Sequence, residues 1–208
     1  MTPERTSDGD ASLNRVFNRE VARERILAAA ITAVAERGFG GLTVKEVARI
    51  AGIKAPGLYS HFPSREAILT EAVSRVLADF MDTMAAVPEG SPEEELRETV
   101  RRHVLYQIDN MHIAQVADLV LNTATAGHFL SSEDYDVLLS VQREHLSLVC
   151  ARVLAYAPRL TKAEVKVASM AIIAMCDRVP SWLRSERALA PAKVADLHWQ
   201  FARAMITG

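Results

Sequence analysis

The feature that most constrains this chain is the spacing of its apolar residues, which recur at intervals of three and four almost throughout, while period-two alternation never persists. That spacing lines up one face of an α-helix, whereas a half-buried strand needs alternation. An all-α fold follows, and its punctuation is legible. Ser91, Pro92 and Glu94 combine an N-cap, a first-turn proline and a capping-box acid, and Thr161 with Glu164 repeats the device. Pro191 suits the first turn of a last helix, and Ser131 or Ser132 caps a long one before Glu133 and Asp134. Nine helices are predicted, at about 19–37, 44–51, 55–61, 65–87, 92–110, 113–125, 133–157, 162–184 and 191–206. Residues 1–18 lack a periodic apolar face and carry Gly, Asp and Ser, so they read as a flexible arm.

The chain has 208 residues, 50% of them hydrophobic, enough for a sizeable core and one or two small domains. No run approaches the ~20 apolar residues of a membrane span, and the polar segment 1–18 is unlike a signal peptide. A cytoplasmic address with no membrane partner is expected. Cys150 and Cys176 each lie in an apolar helical pattern, as packed reduced thiols do. The six histidines (His61, His103, His112, His128, His145, His198) include no i, i+4 pair, and there is no HExxH, CxxC, Gly-rich phosphate loop or nucleophile elbow. Neither an enzyme nor a metal or other cofactor is expected. Charge is uneven: residues 1–65 hold ten Lys or Arg against seven Asp or Glu, and the remainder fourteen against nineteen. A mildly basic head on an acidic body fits a nucleic-acid-binding module joined to something else.

The head has the parts of a helix-turn-helix. Its first helix carries Ile26, Leu27, Ala30, Ile31, Val34 and Ala35, and stops at Gly38, which can take a left-handed conformation. Phe39 and Leu42 fold back, Thr43 is placed to cap a second helix with inward Val44, Val47, Ala48 and Ala51, and Gly52 permits the tight turn above Ile53. The third helix, Lys54 to His61, has only Leu58 and the following Phe62 as apolar anchors. Its other residues are small, polar or aromatic, which suits a helix pushed end-on into a major groove. Ser64 caps the fourth helix.

From Arg25 to Leu69 the order of residues resembles the TetR family of bacterial repressors: Glu36, Arg37, Gly38, Phe39; then Leu42, Thr43, Val44, Val47, Ala48, Ala51, Gly52, Ile53; then Leu58, Tyr59, His61, Phe62; then Ser64, Arg65, Glu66. Pro56 and Gly57 depart from the small or hydroxyl-bearing residues often found there, and Arg65 stands where Lys is commonest. The resemblance implies a homodimer on a near-palindromic, double-stranded DNA operator, released by a hydrophobic small-molecule effector. It implies phosphate contacts from Thr43, Tyr59, His61 and Arg65, with Lys54, Ala55, Pro56, Gly57 and Ser60 facing base edges. Tyr59 as a half-buried ring and His61 as a surface histidine are the plainer readings of those two. Arg23 and Arg25 are expected as further phosphate contacts, while Arg5, Arg15 and Arg19 either enter a minor groove or stay solvated.

Three segments are thus expected: the arm 1–18, a DNA-binding domain 19–66, and a ligand-binding and dimerisation domain 67–208. The last two helices carry broad apolar stripes, and Val165, Ile172, Val194, Leu197, Phe201 and Met205 are expected at a four-helix dimer interface, or else in the monomer's core. Pro180 should kink or end the eighth helix. The run from Arg178 through Trp182 to Arg184 resembles a segment of TetR members that sense acyl-CoA thioesters, and equally suits a helix end with a packed Trp. A pocket among the fifth to eighth helices is expected to draw on Tyr106, Leu119, Phe129, Val141, Met170, Ile173 and Trp182, and on Met111, Val116, Val120 and Leu138. Arg143, Arg178, Arg184 and Arg187 are the cations for a CoA-like anion, or simply solvated surface. The rival class is an all-helical adaptor that ignores DNA.

Overall fold

The first long helix stops where the sequence supplies a residue able to turn left-handed. In a computed structural model that describes residues 8–122, 131–183 and 189–207, α1 runs Asp8–Arg37 and gives way at Gly38, whose φ is 62°, to a 3-10 turn, Gly38–Gly41. The described residues are otherwise helices and short connections: α2 Val44–Ala51, α3 Ala55–Leu58, α4 Arg65–Ala85, α5 Pro92–Asp109, α6 Met111–Asn122, α7 Ser132–Tyr156, α8 Lys162–Asp177, α9 Val179–Trp182 and α10 Pro191–Thr207. The all-α architecture is as expected, and the caps are where the sequence put them. The Thr43 and Ser64 hydroxyls accept from the N–H groups of Glu46 (3.2 Å) and Ala67 (3.1 Å), and both capping boxes form, at Ser91 with Glu94 and at Thr161 with Glu164.

Three boundaries differ from the sequence reading, each for a physical reason. Residues 8–18, expected as a flexible arm, extend α1 upstream, because elongating a nucleated helix needs no apolar face; residues 1–7 lie outside the described residues. The third helix is regular only to Leu58. Pro63 disfavours the helical region for Phe62, and the chain tightens beforehand, with the N–H groups of His61 and Phe62 both donating to the Leu58 carbonyl at 3.0 Å. The eighth helix breaks at Arg178, since Pro180 has no N–H to continue the ladder and sits instead in the first turn of α9.

The chain forms two compact units that divide between Ala72 and Val73, inside α4. The first has a small core of Ile26, Val34, Leu42, Val47, Leu58, Phe62, Ile68 and Leu69, all at most 2% exposed. In the second, α5 packs against α7, α8 and α10 around Leu96, Val100, Val104, Val149, Val153, Cys176 and Trp199. Val165, Ile172 and Val194, read as interface residues, belong to this core with exposures of 4%, 2% and 1%. The stripes on α8 and α10 are wide enough to serve two faces, and these three are on the inner one. Cys176 is fully buried, which pushes its thiol pKa up.

Gly41 allows the turn to press against α1: a Cβ there would lie 2.8 Å from Arg37 Cβ and closer still to the Ala33 carbonyl oxygen, whereas one at Gly40 would meet open space. Gly41→Ala is expected to cost about 1–3 kcal/mol, and Gly40→Ala to stay within about 0.5 kcal/mol. Urea denaturation of the two variants checks this; equal stability would refute the close-approach argument.

Candidate functional site

The recognition segment is short, exposed at its tip and braced from behind. Lys54, Pro56, Tyr59 and Ser60 are exposed, Ala55, Gly57 and His61 half-buried, and Leu58 fully buried. Tyr59 is 57% exposed, so the half-buried alternative does not hold. The Ser60 hydroxyl donates to the Gly57 carbonyl (2.6 Å). Thr43 stays exposed at the start of α2. Arg65 is partly exposed and donates to Glu66 (2.7 Å). Arg23 and Arg25, expected to reach phosphates, also hold protein groups, Arg23 half-buried and Arg25 exposed. Arg23 donates to the His61 carbonyl (2.9 Å) and to Glu71, and its guanidinium lies 4.2 Å from the centre of the Phe62 ring. Arg25 donates to the Ala51 carbonyl, at the end of α2. Their sequence positions signal charge, but only the tertiary fold shows that carbonyls and Glu71 are within reach. Gly52, at φ 66°, makes the turn between α2 and α3.

The second unit contains a cavity of about 280 Å³, lined by α4 (Val76, Leu77, Phe80), α5 (Tyr106, Gln107), α6 (Ala114, Ala117), α7 (Val141, Gln142, His145, Leu146) and α8 (Met170, Ile173, Ala174, Asp177). Tyr106, Val141, Met170 and Ile173 were legible as pocket residues. The structure places the other candidates elsewhere. Leu119 and Met111 are half-buried and off the lining, Val116 and Leu138 are packed core, and Arg143 and Arg178 are exposed and off the lining. Trp182 stacks on His198 with ring centres 6.2 Å apart, as a packed Trp at a helix end. Phe129, Arg184, Arg187 and the side chain of Val120 lie outside the described residues.

The polar floor of the cavity is what the sequence reading missed. Asp177 Oδ1 accepts from Gln107 Nε2 (2.9 Å) and lies 2.9 Å from His103 Nε2. His145 packs edge-on against both Phe80 and His103, with ring centres 4.8 and 5.1 Å apart. Burial, reinforced by the neighbouring His103 and opposed by Asp177, pushes the His145 pKa down to about 3 from 6.5. Tyr106 closes one side, its hydroxyl donating to Asp79 (2.9 Å). The available signal was helical phase: His103 and Gln107 are four apart on the inward stripe of α5, but nothing in the sequence pairs them with Asp177. Among the described residues no group of three or more His, Cys, Asp or Glu could hold a metal ion, and no helix is long and apolar enough to cross a membrane.

A helix-turn-helix with an exposed reading segment, followed by an all-helical unit with an internal cavity, defines a DNA-binding transcriptional regulator. Comparison with known proteins names the family. Residues 26–72 match the model for bacterial regulatory proteins of the tetR family, and residues 89–206 match the tetracyclin repressor-like C-terminal domain. The chain belongs to the TetR family, one of regulators and not of enzymes. It is 42% identical over 60 residues to the transcriptional repressor KstR2 of Mycolicibacterium smegmatis, a match that covers 29% of this chain and 27% of that protein. The matched segments span 27% to 36% of the curated relatives' own lengths. Among solved structures, a tetR-family regulatory protein from Rhodococcus RHA1 superposes with a TM-score of 0.78 at 23% identity, covering 89% of this chain and 96% of that one. AibR, solved in complex with isovaleryl coenzyme A and operator DNA, superposes with a TM-score of 0.74 at 17% identity, covering 86% and 97%.

The depressed His145 pKa has a consequence for stability. Between about pH 3 and 6.5 the unfolded chain binds a proton at this position that the folded chain refuses, so the group's contribution is complete above 6.5 and is lost as pH falls toward 3. His145→Phe is therefore expected to flatten the acid side of the stability curve by up to ~1.4 kcal/mol per pH unit. Urea denaturation from pH 4 to 7 measures it, and parallel curves for variant and parent would refute the assignment.

Proposed function

We propose that this regulator is a repressor that binds a near-palindromic operator as a homodimer and releases it when an apolar small molecule fills the cavity. The observation that carries the DNA half is α3 with the turn after it: Lys54, Pro56, Tyr59 and Ser60 stand exposed around an anchor, Leu58, that is wholly buried. Thr43, Tyr59, His61 and Arg65 take phosphates, which set register, while Lys54, Ala55, Pro56, Gly57 and Ser60 approach base edges. The name of the KstR2 repressors and the operator complex of AibR support this reading. This reading puts the protein in the cytoplasm, where bacterial DNA is met.

The homodimer reading rests on apolar side chains exposed on α8 and α10: Val167 at 68%, Met170 at 53%, Phe201 at 54% and Met205 at 49%. Large apolar patches on one chain are commonly hidden against another. Leu197 is half-buried beside them. For the effector, we favour the acyl-CoA class over a drug-like molecule, as supported by the isovaleryl coenzyme A bound to AibR. At about 280 Å³ the cavity is slightly below the ~300–1,000 Å³ of ordinary ligand pockets. It suits an acyl group, with the nucleotide left outside where Arg143 and Arg178 are exposed. The fourth helix couples the two events. It is continuous from Arg65 to Ala85 and supplies both Arg65 and the cavity residues Val76, Leu77 and Phe80. A ligand that prefers one setting of α4 shifts the spacing of the paired reading heads away from the ~34–36 Å of successive half-sites.

Selection from random duplexes followed by mobility-shift titration at several salt concentrations tests the core of the proposal. A near-palindromic site is expected, and Arg65→Ala should lower the log–log salt slope by about 0.9 without changing the selected sequence. No preferred site, or an unchanged slope, would count against it. Leu197→Glu with Phe201→Glu should yield monomers in sedimentation, because charges buried without partners oppose association; a persisting dimer would put the interface elsewhere.

A further inference from the structure

Two residues that line the cavity each carry a buried polar atom with no hydrogen-bond partner, Gln107 Oε1 and His145 Nε2. The residues are 9% and 6% exposed. They belong to one cluster, since His103 Nε2 lies 3.2 Å from Gln107 Nε2 and its ring 5.1 Å from that of His145. Buried polar atoms in native proteins are overwhelmingly partnered, so each exception asks for a reason. The amide orientation of Gln107 is set by its Nε2–H, which donates to Asp177 at 2.9 Å, and this leaves the oxygen for an occupant. We propose that the part of the effector inside the cavity is an uncharged apolar segment bearing a hydroxyl group, which donates to Gln107 Oε1 and accepts from His145 Nε2. The inference rests on the effector reading above and specifies the chemistry of that same cavity.

The alternatives fit less well. An amide oxygen can only accept, so a ketone, ether or ester would leave it unsatisfied. A carboxylate would bring negative charge beside Asp177 in a lining that contains no Lys or Arg. An ammonium group would be stripped of water among Val76, Leu77, Phe80 and Ile173, while the Asp177 oxygen nearest the floor is already engaged by Gln107 and His103. A hydroxyl is both donor and acceptor, so it can donate to the amide oxygen and accept from His145 in the tautomer that carries its proton on Nε2. The neutral state of His145 agrees with an uncharged partner.

The test uses the full chain and four probes with the same tail: 1-octanol, 1-methoxyoctane, octanoate and octylamine, titrated by calorimetry. Octanol is expected to bind about tenfold more tightly than the ether, the scale set by one buried acceptor left unsatisfied. Gln107→Met should bring the two within about twofold by weakening the alcohol and not the ether. Should that variant fail to fold, the ranking on the parent protein decides alone. Equal affinity for ether and alcohol, a preference for octanoate or octylamine, or no binding by any of the four would overturn the proposal. The selected operator duplex is titrated in parallel. If octanol binds with the expected ranking and the DNA complex is indifferent to it, the effector reading fails and the hydroxyl site stands.

Discussion

A one-turn helix has no stability of its own, because nucleation costs more than a single turn returns, and everything this protein does to DNA depends on Ala55–Leu58 being held from behind. Leu58 and Phe62 are the holding groups, buried to 0% and 2% exposure in the core of the first unit. Arg23 adds a second attachment. Its guanidinium ties the His61 carbonyl and Glu71 together and covers the face of Phe62, so the end of the recognition segment and the fourth helix share one clamp. Freed of any packing duty, Lys54, Pro56, Tyr59 and Ser60 can face outward, which is the condition for reading a groove.

The second unit shows the opposite compromise. Around α5 the packing is complete where α5 meets α10, with Val100, Val104, Ala195 and Ala202 at 1% exposure or less. Toward α4, α6 and α7 it is left incomplete, and polar groups occupy what could have been core. Gln107, His103 and His145 bring desolvation costs that an apolar set would avoid. Arg152 brings a similar cost on the α5–α7 side, though its guanidinium is satisfied by Thr99 (2.6 Å) and the Met84 carbonyl (3.1 Å). A fold that gives up stability in one place, while capping α2, α4, α5 and α8 with side-chain oxygens, points to a use for that place.

Much of this was readable from local rules. Helix starts at Ser91, Thr161 and Pro191 follow from cap chemistry that needs only three or four consecutive residues, and Gly38 and Gly52 mark left-handed turns for the same reason. The order from Glu36 through Glu66 was enough to identify the reading head. Less of the cavity could be seen in advance. Tyr106, Val141, Met170 and Ile173 were chosen as apolar or aromatic residues on inward faces, yet the same rule chose Val116 and Leu138, which pack in the core, because periodicity tells inside from outside and not filled from empty.

Arginine shows the division most clearly. From the sequence alone, Arg23, Arg25 and Arg65 are three equivalent cations near a recognition helix; in the folded chain Arg23 is half-buried between the His61 carbonyl and Glu71, while Arg25 and Arg65 stay exposed, each with one contact to a backbone carbonyl, of Ala51 and of Leu42. The sequence by itself determined the all-helical class, the caps and the reading head, since each rests on interactions between residues close in the chain. The tertiary structure decided which charges are structural, which face of α8 and α10 is core, and that His103, Gln107 and His145 are buried together beside the half-exposed Asp177. Those four come from three helices, and the physical quantity that joins them, desolvation in a shared low-dielectric space, exists only after the helices have packed.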